Sequence, residues 1–592
     1  MKAIFFSPYA DVWVHSLPEA EIAEALRDGG WSIHRITCVR DFSEHCVAMA
    51  AKGIDFSAEK NVKSAVCSSC IHRQSLLRKS FKFEDQSIGS LIDAQQQEKI
   101  VNLVNEITTD NWMDFELDGA PLGKMAFYDF SLTNKLNSVE IPADLLDSYR
   151  SDLQNSIKTY FAMTALMSES KFDLLITYNG MYATNNVAGY VARKSGCRTW
   201  SLHAGQHLVD RFGTMYMYES TTLPVLAYKS QEWEINRLLP VLSSAAEKVT
   251  EHLLELFKAS NRFVYSSPLG DVDVETLRST LGVLPHRKVL LATMSSADEI
   301  FGAKMAGVLK DAEAKPLFEN GFEWINFLVE KIKEREDLHL IIRIHPREFP
   351  NKRETKMSQT AERLRELLSD LPENVSVNWP EQQISLYGLA HIVDVVLNAS
   401  SSAGIEMSAL GLPVVLHRVE HMLAYDPQIH PQVEDRDMYM QTVNQALLRG
   451  WSTDNMRSAY RWWAFLFTQI AIDISDGFTY PSAGYISVSD TSKAKLMNKL
   501  LTMAVKYGPS IQERSHLLRR KNLRNGPLFS AVLTGESQVL VAPRKVLVTD
   551  ALNENQILAR EAGRLLEVLR TSSTAKSTLV RNLERFVTGS KC

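Results

Sequence analysis

The sequence has no apolar run long enough to cross a bilayer, which takes about 20 consecutive residues in a helix. The apolar stretch that follows Met1 is too short for a secretory signal peptide and favours a first β-strand instead. With no secretion signal, the six cysteines need not be paired, and we expect the protein in the cytoplasm.

Several motifs are missing as well. No G-x-G-x-x-G loop follows the first predicted strand, so a dinucleotide is not indicated. No Asp-x-Asp metal pair stands in a suitable loop, and no RNA- or DNA-reading motif is visible, so nucleic acid is not an expected partner. No internal repeat or low-complexity tract interrupts the 592 residues, a length that suits two or three domains.

Charge is distributed unevenly along the chain, whose formal net charge is −5. Residues 490–592 carry 18 Lys and Arg against 8 Asp and Glu, a balance of +10 that leaves −15 on the rest. A basic region on an acidic body suggests contact with anionic lipid head groups or with a polyanionic product. The alternative is a basic helical region that packs on the acidic body.

Four of the six cysteines fall within 33 residues, at Cys38, Cys46, Cys67 and Cys70. The two-residue gap of Cys67-Ser-Ser-Cys70 lets both sulfurs bind one metal ion, and the other two thiols could complete a tetrahedral zinc site. The spacing from Cys38 to Cys46 is not that of a standard zinc knuckle, so burial of Cys38 at a strand end is the alternative. An iron–sulfur cluster also stays open, whereas no thioredoxin-like pattern supports a redox role.

The most informative stretch covers residues 393–415, VDVVLNASSSAGIEMSALGLPVV. Its β-branched start predicts a buried strand, which breaks at three serines before a predicted helix. Such a helix starts at the carboxyl edge of a sheet, where free N–H groups and the helix dipole favour an anion. Ser400, Ser401 and Ser402 would add hydroxyl donors, and Glu406 could reach sugar hydroxyls from the same face. An ordinary serine cap with a surface glutamate is the alternative.

A second stretch, at residues 338–348, is a predicted strand that ends in His-Pro-Arg-Glu. The proline restrains His345 to an extended backbone and ends the strand. Arg343, His345 and Arg347 then present an imidazole and two guanidinium groups at one sheet edge. This combination suits the phosphate of a nucleotide leaving group.

Together the two stretches resemble the donor-nucleotide half of GT-B glycosyltransferases, especially enzymes of capsule and surface-polysaccharide biosynthesis, some of which use CMP-activated acidic sugars. The same layout is similar to that of nonhydrolysing UDP-N-acetylglucosamine 2-epimerases and of the polyol-phosphate transferases of teichoic acid synthesis. The resemblance is firm over residues 285–420, looser over 1–225, and absent from the C-terminal region.

The resemblance assigns roles residue by residue. A predicted strand from Lys288 is followed by Ser295 and Ser296, like the first strand and loop of the donor half. It implies that His345 and the serines contact the donor phosphate and that Glu406 contacts ribose. The residues implied at the donor site are Ser295, Ser296, Arg343, His345, Arg347, Ser400, Ser401, Ser402 and Glu406.

The first part of the chain predicts a β–α–β unit over residues 3–38 and a second α/β segment over residues 172–203. In GT-B enzymes this half binds the acceptor. By this resemblance Asp11 or His15 would be the general base that deprotonates an acceptor hydroxyl, with His203 as a further candidate. For each of them a purely structural hydrogen bond is the alternative.

The expected fold class is α/β, a GT-B arrangement of two Rossmann-like domains that face a cleft, with a helical insertion and an appended C-terminal helical region. The expected divisions are an acceptor domain at 1–228 with its insertion at about 71–170, a helical linker at 229–284, a donor domain at 285–489, and a basic, mostly helical region at 490–592.

The expected function is transfer of a sugar from a CMP- or UDP-linked donor to a hydroxyl of a bacterial surface glycan or of a lipid-linked acceptor. We expect inversion and no cofactor in catalysis, with a structural zinc left open. The basic region would fit a peripheral position at anionic lipid on the inner face of the plasma membrane. The rivals are a polyol-phosphate transferase, a sugar-nucleotide epimerase and a non-catalytic nucleotide- or glycan-binding protein. The long insertion and the basic region disfavour an epimerase.

Overall fold

The structure of the chain is a computed structural model. It describes residues 1–219, 223–261, 263–271, 273–307, 317–351, 356–399, 401–417, 426, 429–430, 433, 435–477, 509–531, 537–545, 553–571 and 577–589. Within these residues the chain forms two α/β domains, each built on its own β-sheet.

The strands fall into two groups along the chain. The first group is β1 (Lys2–Phe6), β2 (Ser32–Thr37), β3 (Asp85–Ser87), β4 (Leu174–Tyr178), β5 (Arg198–Ala204) and β6 (Thr214–Glu219). The second is β7 (Lys288–Thr293), β8 (Leu338–Arg343), β9 (Val375–Asn378), β10 (Val395–Asn398) and β11 (Val414–Leu416), and β12 (Ile472–Asp473) follows it.

Both sheets are largely parallel. In the described residues the first has the order β12-β6-β5-β4-β1-β2-β3, in which β6 alone runs antiparallel to its neighbours, and the second has the parallel order β11-β10-β7-β8-β9. Parallel neighbours need crossover connections, which helices supply here, so both sheet faces are covered. Alternate side chains of β1 therefore enter different cores: Ile4 and Phe6 pack on one face, Ala3 and Phe5 on the other.

Helices precede, connect and follow the strands. Those up to the end of the linker are α1 (Trp13–Asp28), α2 (Val47–Ala50), α3 (Lys60–Phe81), α4 (Ala94–Asn105), α5 (Leu122–Asn134), α6 (Leu146–Glu169), α7 (Ala183–Lys194), α8 (Leu223–Tyr228), α9 (Gln231–Asn236), α10 (Ser243–Lys258) and α11 (Val274–Thr280). Those of the second domain are α12 (Ala297–Met305), α13 (Gly321–Ile332), α14 (Gln359–Leu367), α15 (Leu386–Leu389), α16 (Ala403–Ala409), α17 (Arg436–Arg449) and α18 (Thr453–Phe465), the last continued by a π-turn at Leu466–Ile470.

The C-terminal region packs on both domains. Its described helices are α19 (Pro509–Arg519), α20 (Gly526–Ser530), α21 (Glu554–Thr571) and α22 (Thr578–Thr588). Leu523 and Phe529 enter the core of the first domain, into which β12 has already returned the chain. Ile557 and Leu579 enter the core that α10 and α18 share with the second sheet. The basic region is thus, where described, a set of helices packed on the body.

Helix α5 of the insertion joins the first domain to the second. It packs against α12, where a Cβ added to Gly302 would lie 2.6 Å from the hydroxyl oxygen of Ser131. Lys135 follows α5 in the left-handed region, with φ 52°. Its side-chain nitrogen donates to the carbonyl oxygens of Arg347 and Lys356, each at 2.6 Å. The two domains therefore meet at this helix as well as through the linker.

The predicted fold class, an α/β protein of two Rossmann-like domains, is confirmed by the two parallel sheets. The insertion between β3 and β4 is helical, as expected, although the helices predicted there, over residues 96–107 and 145–167, do not include α5. In the part of the chain that the structure describes, no helix combines the length and the apolar character needed to cross a membrane.

Candidate active site

Three neighbouring strands of the second sheet bring polar side chains to one edge. Because β10, β7 and β8 lie side by side in parallel, their carboxyl ends meet, and α/β sheets bind ligands at such ends. A cavity of about 120 Å³, the second-domain cavity, opens there. Its polar lining includes Tyr265, Ser266, Thr293, Arg343, His345, Tyr387, Ser401, Ser402 and Glu406. The two separate sequence stretches thus form one site.

His345 is held as a neutral imidazole with a defined proton. Its backbone is extended, with φ −66° and ψ 126°, and its Nδ1 accepts the N–H of Arg347 at 3.3 Å. Burial, together with the nearby charges of Arg347, Arg343 and Lys135, lowers the pKa of His345 to about 3. Since Nδ1 is the acceptor, the neutral ring carries its hydrogen on Nε2. His345 therefore offers the cavity a hydrogen-bond donor without a charge.

Arg343 is the guanidinium group that lines this cavity. It is 8% exposed and donates to the carbonyl oxygen of Ile384 at 3.0 Å and to the Ser266 hydroxyl at 3.4 Å, besides the Asn378 side chain. Burial lowers the pKa of Arg343 to about 10, so the group stays cationic at neutral pH. A fixed, charged donor of this kind suits a phosphate.

Glu406 lies in the first turn of α16 and contributes a carboxyl group to the same cavity. Its Oε2 accepts the hydroxyl of Tyr387 at 2.8 Å. Burial raises the pKa of Glu406, while hydrogen bonds from Ser402 and Tyr387 act in the other direction. Ser401 accepts the N–H of Ala403 at 3.3 Å. Ser401, Ser402 and Glu406 are brought together as predicted, and Ser400 lies outside the described residues.

Three other predicted donor residues support the loops but do not line the cavity. Arg347 pairs with the buried Asp298 and donates to the Ser296 hydroxyl at 2.9 Å. Ser296 in turn donates to Asp298 at 2.6 Å, and Ser295 donates to the carbonyl oxygen of Ala399. A guanidinium held by a buried carboxylate has less charge to offer a ligand. Of the two predicted arginines, Arg343 therefore lines the cavity, whereas Arg347 is bound to Asp298 and does not.

A second and larger cavity lies in the first domain. It measures about 370 Å³ and is called the first-domain cavity. Its polar lining comes from the carboxyl edge of the first sheet and from insertion helices α5 and α6. These residues include Tyr9, His15, His45, Asp129, Thr133, Asp152, Asn155, Tyr178, Tyr182, Thr184, His203 and Arg211. The helical insertion therefore builds one wall of this cavity.

Asp129 is the residue here that sequence reasoning missed. Its Oδ2 accepts the N–H of Ala183 at 2.9 Å, where α7 begins. Burial, reinforced by the nearby Asp152 carboxyl, raises the pKa of Asp129 to about 8. Asp152 lies 3.6 Å from Nδ1 of His45 and raises the pKa of that histidine against the effect of burial. A carboxyl group that titrates near neutrality in a cavity is a candidate for proton transfer.

Both predicted histidines line the first-domain cavity. The His15 ring stacks on Tyr178, with centroids 3.8 Å apart. His203 Nδ1 lies 2.8 Å from the carbonyl oxygen of Ala204, so Nδ1 carries the hydrogen and Nε2 is the acceptor. Burial, with a contribution from Arg211, lowers the pKa of His203 to about 4. His203 is therefore a neutral acceptor, and a weaker base than Asp129.

Asp11, the other predicted base, is engaged elsewhere. Its carboxylate is buried and pairs with Lys52 and Arg73, and it also accepts the Ser69 hydroxyl. Arg73 continues the network to Glu513 at 2.5 Å. Asp11 is not among the residues that line the first-domain cavity. Two cations and a hydroxyl group engage this carboxylate, so its evident role is to fix α3 on the first loop.

The two cavities adjoin at one aromatic side chain. Phe263, from the linker, lines both of them, and the Arg211 guanidinium lies 4.3 Å from its ring centroid. Arg211 is thus a cation at the boundary, on the first-domain side. Phe263 therefore lies where a ligand in one cavity would approach a ligand in the other.

The four clustered cysteines are not arranged as metal ligands in the described structure. No group of three or more His, Cys, Asp or Glu in the described chain, which includes all four, is arranged to hold a metal ion. Cys38, Cys67 and Cys70 are packed in the apolar core, and burial raises the pKa of Cys46 to about 12. A metal needs thiolates. The geometry of the described residues therefore favours the alternative of buried thiols, and the zinc site stays a prediction.

No family model and no curated protein matches the sequence. Among solved structures, the chain is similar to KpsC, a beta Kdo 2,4 transferase of Thermosulfurimonas dismutans, at 14% identity over 48% of this chain and 78% of that one, with a TM-score of 0.30. It is similar to the glycosyltransferase SnogD of Streptomyces nogalater at 12% identity, over 78% and 94% of the two chains, with a TM-score of 0.23. For the UDP-GlcNAc 2-epimerase of Methanocaldococcus jannaschii in complex with UDP-GlcNAc and UDP, the identity is 14%, the coverage 78% and 98%, and the TM-score 0.25. Values of this size do not assign an activity.

Proposed function

We propose that the chain is a glycosyltransferase that moves a sugar from a nucleotide-sugar donor to a hydroxyl group of a surface glycan or glycoconjugate. The observation that carries this proposal is the convergence of Arg343, His345 and Glu406 on one cavity that adjoins a second cavity containing Asp129. The first-domain cavity distinguishes this arrangement from that of a protein that binds a nucleotide alone. Two adjoining cavities suit two substrates.

The second-domain cavity would hold the nucleotide. The Arg343 cation and the Nε2–H of His345 would donate to the phosphate, where negative charge grows as the sugar leaves. Ser401 and Ser402 add hydroxyl groups beside them. Glu406 would accept a ribose hydroxyl. These side chains supply the positive charge and the donors, so the proposed reaction does not call for a metal ion.

The first-domain cavity would hold the acceptor. The acceptor oxygen attacks the anomeric carbon, the bond from that carbon to the phosphate oxygen breaks, and the acceptor proton passes to Asp129. Because the pKa of Asp129 is raised, its carboxylate is a stronger base than that of an ordinary aspartate. Attack from the face opposite the phosphate would invert the anomeric configuration. CMP- and UDP-linked sugars are the donor classes we propose.

The first test is a thermal-shift panel with CMP, CDP, UDP, GDP and TDP. A nucleotide that binds the folded protein raises its melting temperature. We expect one nucleotide to do so with the wild type and not with His345→Ala. The matched control is His286→Ala, an exposed histidine of the same domain, which should keep the full shift.

Three outcomes separate the proposal from its rivals. The absence of a shift with every nucleotide would overturn it in favour of a protein without a nucleotide site. A shift that survives in His345→Ala would move the site away from the second-domain cavity. If the nucleotide sugar is epimerised without any acceptor, the chain is an epimerase; if nucleotide is released only with an acceptor, it is a transferase.

A further inference from the structure

Helix α19 is firmly attached to the first domain on its inner side. Buried Glu513 accepts from Arg73 at 2.5 Å, and His516 Nδ1 accepts from the indole N–H of Trp13 at 3.3 Å. Just beyond the helix, Arg520 pairs with Glu24 and donates to the carbonyl oxygen of Ser80 at 3.2 Å. These contacts fix which side of the helix faces outward.

The outer side combines exposed cations with one exposed leucine. Leu518 is 87% exposed, and the neighbouring side chains of Arg514, Arg519 and Lys521 are exposed as well. Within the described part of the chain, these three cations form no ion pair with a carboxylate, whereas Arg520 pairs with Glu24. The basic residues of this segment are thus of two kinds: one is neutralised against the body, and three remain available at the surface.

An open cleft lies beside this surface. It measures about 710 Å³ and is lined by His516, Arg519, Lys521 and Arg524, with Ser475, Asp476, Gly477 and Asn522. Arg524 contacts Asp476 at 3.3 Å, and Asp476 is the carboxylate among these lining residues. The lining therefore keeps an excess of positive charge, in contact with solvent and with the exposed helix face.

We propose that this face, formed by Arg514, Leu518, Arg519, Lys521 and Arg524, docks the protein on an anionic phospholipid bilayer. The cations would contact lipid phosphates, and Leu518 would enter the boundary between head groups and acyl chains. A soluble polyanion would engage the cations but would leave Leu518 in water. The leucine at the centre of the cations is what favours a lipid surface. This inference does not depend on the proposed reaction.

The chain contains a matched control for this face. Leu448, followed by Arg449, is also 87% exposed, and it lies on α17 of the second domain. The test variant is Leu518→Glu/Arg519→Glu, and the control variant is Leu448→Glu/Arg449→Glu. Both pairs change the same side chains in the same way. Because all four side chains lie at the surface, both variants should keep the wild-type melting temperature.

The experiment is co-sedimentation with phosphatidylcholine vesicles, with and without phosphatidylglycerol as a minor component. We expect the wild type and the control variant to bind only the vesicles that contain phosphatidylglycerol. Each cation near an anionic surface changes the affinity by about fivefold, so the test variant should bind at least about tenfold more weakly. If the test variant does not fold, Leu518→Ser takes its place and should lower the affinity by a few fold.

Three results would overturn the proposal. The first is a wild type that does not bind vesicles of either composition. The second is equal binding of the test and control variants, which would place the contact elsewhere. The third is binding of soluble heparin without binding of vesicles, which would assign the face to a polyanion.

Discussion

The side-chain nitrogen of Lys135 lies 2.6 Å from the carbonyl oxygen of Arg347, and this bond connects the helical insertion of the first domain to the His-Pro turn of the second. Arg347 is also the residue whose N–H donates to Nδ1 of His345. A lysine of one domain is therefore two hydrogen bonds away from the imidazole that lines the other domain's cavity. We infer that Lys135 is a positioning residue for His345.

Lys135→Met should weaken nucleotide binding, because it removes the cation that holds the turn. A hydrogen bond that involves a charged group contributes about 1.5–3 kcal/mol, so the loss of affinity should be about tenfold or more. Methionine has no greater difficulty than lysine with the left-handed backbone at this position. Titration of the nucleotide that gives a thermal shift measures the change. Lys124→Met, on the helix α5 that Lys135 follows, is the control. A Lys135→Met variant with lower stability but unchanged affinity would contradict the positioning role.

Asp129→Asn should lower kcat/KM by about 10²- to 10⁴-fold, as the loss of a general base does. In the wild type the base is active when deprotonated. Since burial and Asp152 raise its pKa to about 8, the rate should rise with pH up to about 8 and then level off. The variant should lack this rise but bind nucleotide normally.

Asp147→Asn is the matched substitution, at a residue of α6 whose side chain is 75% exposed. It should leave both the rate and the pH profile unchanged. A pH profile of Asp129→Asn that still rises towards pH 8 would transfer the role of base to another group of the first-domain cavity.

Glu21→Gln should stabilise the protein in alkaline solution. Glu21 is 1% exposed, its carboxylate oxygens have no hydrogen-bond partner in the described structure, and burial raises its pKa to about 8. Because the folded pKa lies above the unfolded value, this group lowers the free energy of unfolding as the pH rises from about 4.5 to about 8. Each pKa unit corresponds to about 1.4 kcal/mol, so above pH 8 the variant should be more stable by up to about 5 kcal/mol.

Glu24→Gln provides the contrast, from the same helix, α1. Glu24 pairs with Arg27 and Arg520, so the same substitution there should lower the free energy of unfolding. Chemical denaturation of both variants at pH 5 and pH 9 gives the comparison. Equal effects at the two positions would show that the charge of Glu21 is compensated in the folded protein.

The purified protein should contain no zinc bound by its cysteines. Elemental analysis checks this directly, and a chelator should leave the melting temperature unchanged. Cys67→Ser/Cys70→Ser would then cost stability through packing alone, to a degree comparable with that of Cys197→Ser, another buried thiol. Stoichiometric zinc, with a melting temperature that falls in the presence of chelator, would restore the metal interpretation.

The sequence was sufficient to predict that the His-Pro turn and the serine loop share one site, because parallel strands place their carboxyl ends together. Once β8 and β10 were recognised, the proximity of His345 to Ser401 and Glu406 followed from topology. What it could not provide was the direction of each side chain. Arg343 and Arg347 are four residues apart, and a buried partner, Asp298, decides which of them lines the cavity.

Contacts between residues far apart in the sequence explain the other differences between the predicted and the observed site. Asp11 looked like a base in a polar loop, but its partner Arg73 comes from a helix that the sequence does not place beside it. Asp129 went unnoticed because α5 was not recognised as a helix. The one signal was an acidic residue in the apolar run Met125-Ala-Phe-Tyr-Asp-Phe, which is unusual in a buried helix. For the cysteines, the spacing alone could not show that three of the four pack in the apolar core.

The contact between α5 and α12 also constrains how the protein can turn over. The two domains are joined by the linker and also by the contacts of Gly302 and Lys135. A swing of one domain as a rigid body would break the Lys135 hydrogen bonds and pull these closely fitted helices away from each other. Substrates would then enter and products leave by local movement of loops and side chains such as Phe263. Product release, where it limits turnover, should respond to substitution of Phe263 more than to changes elsewhere in the linker.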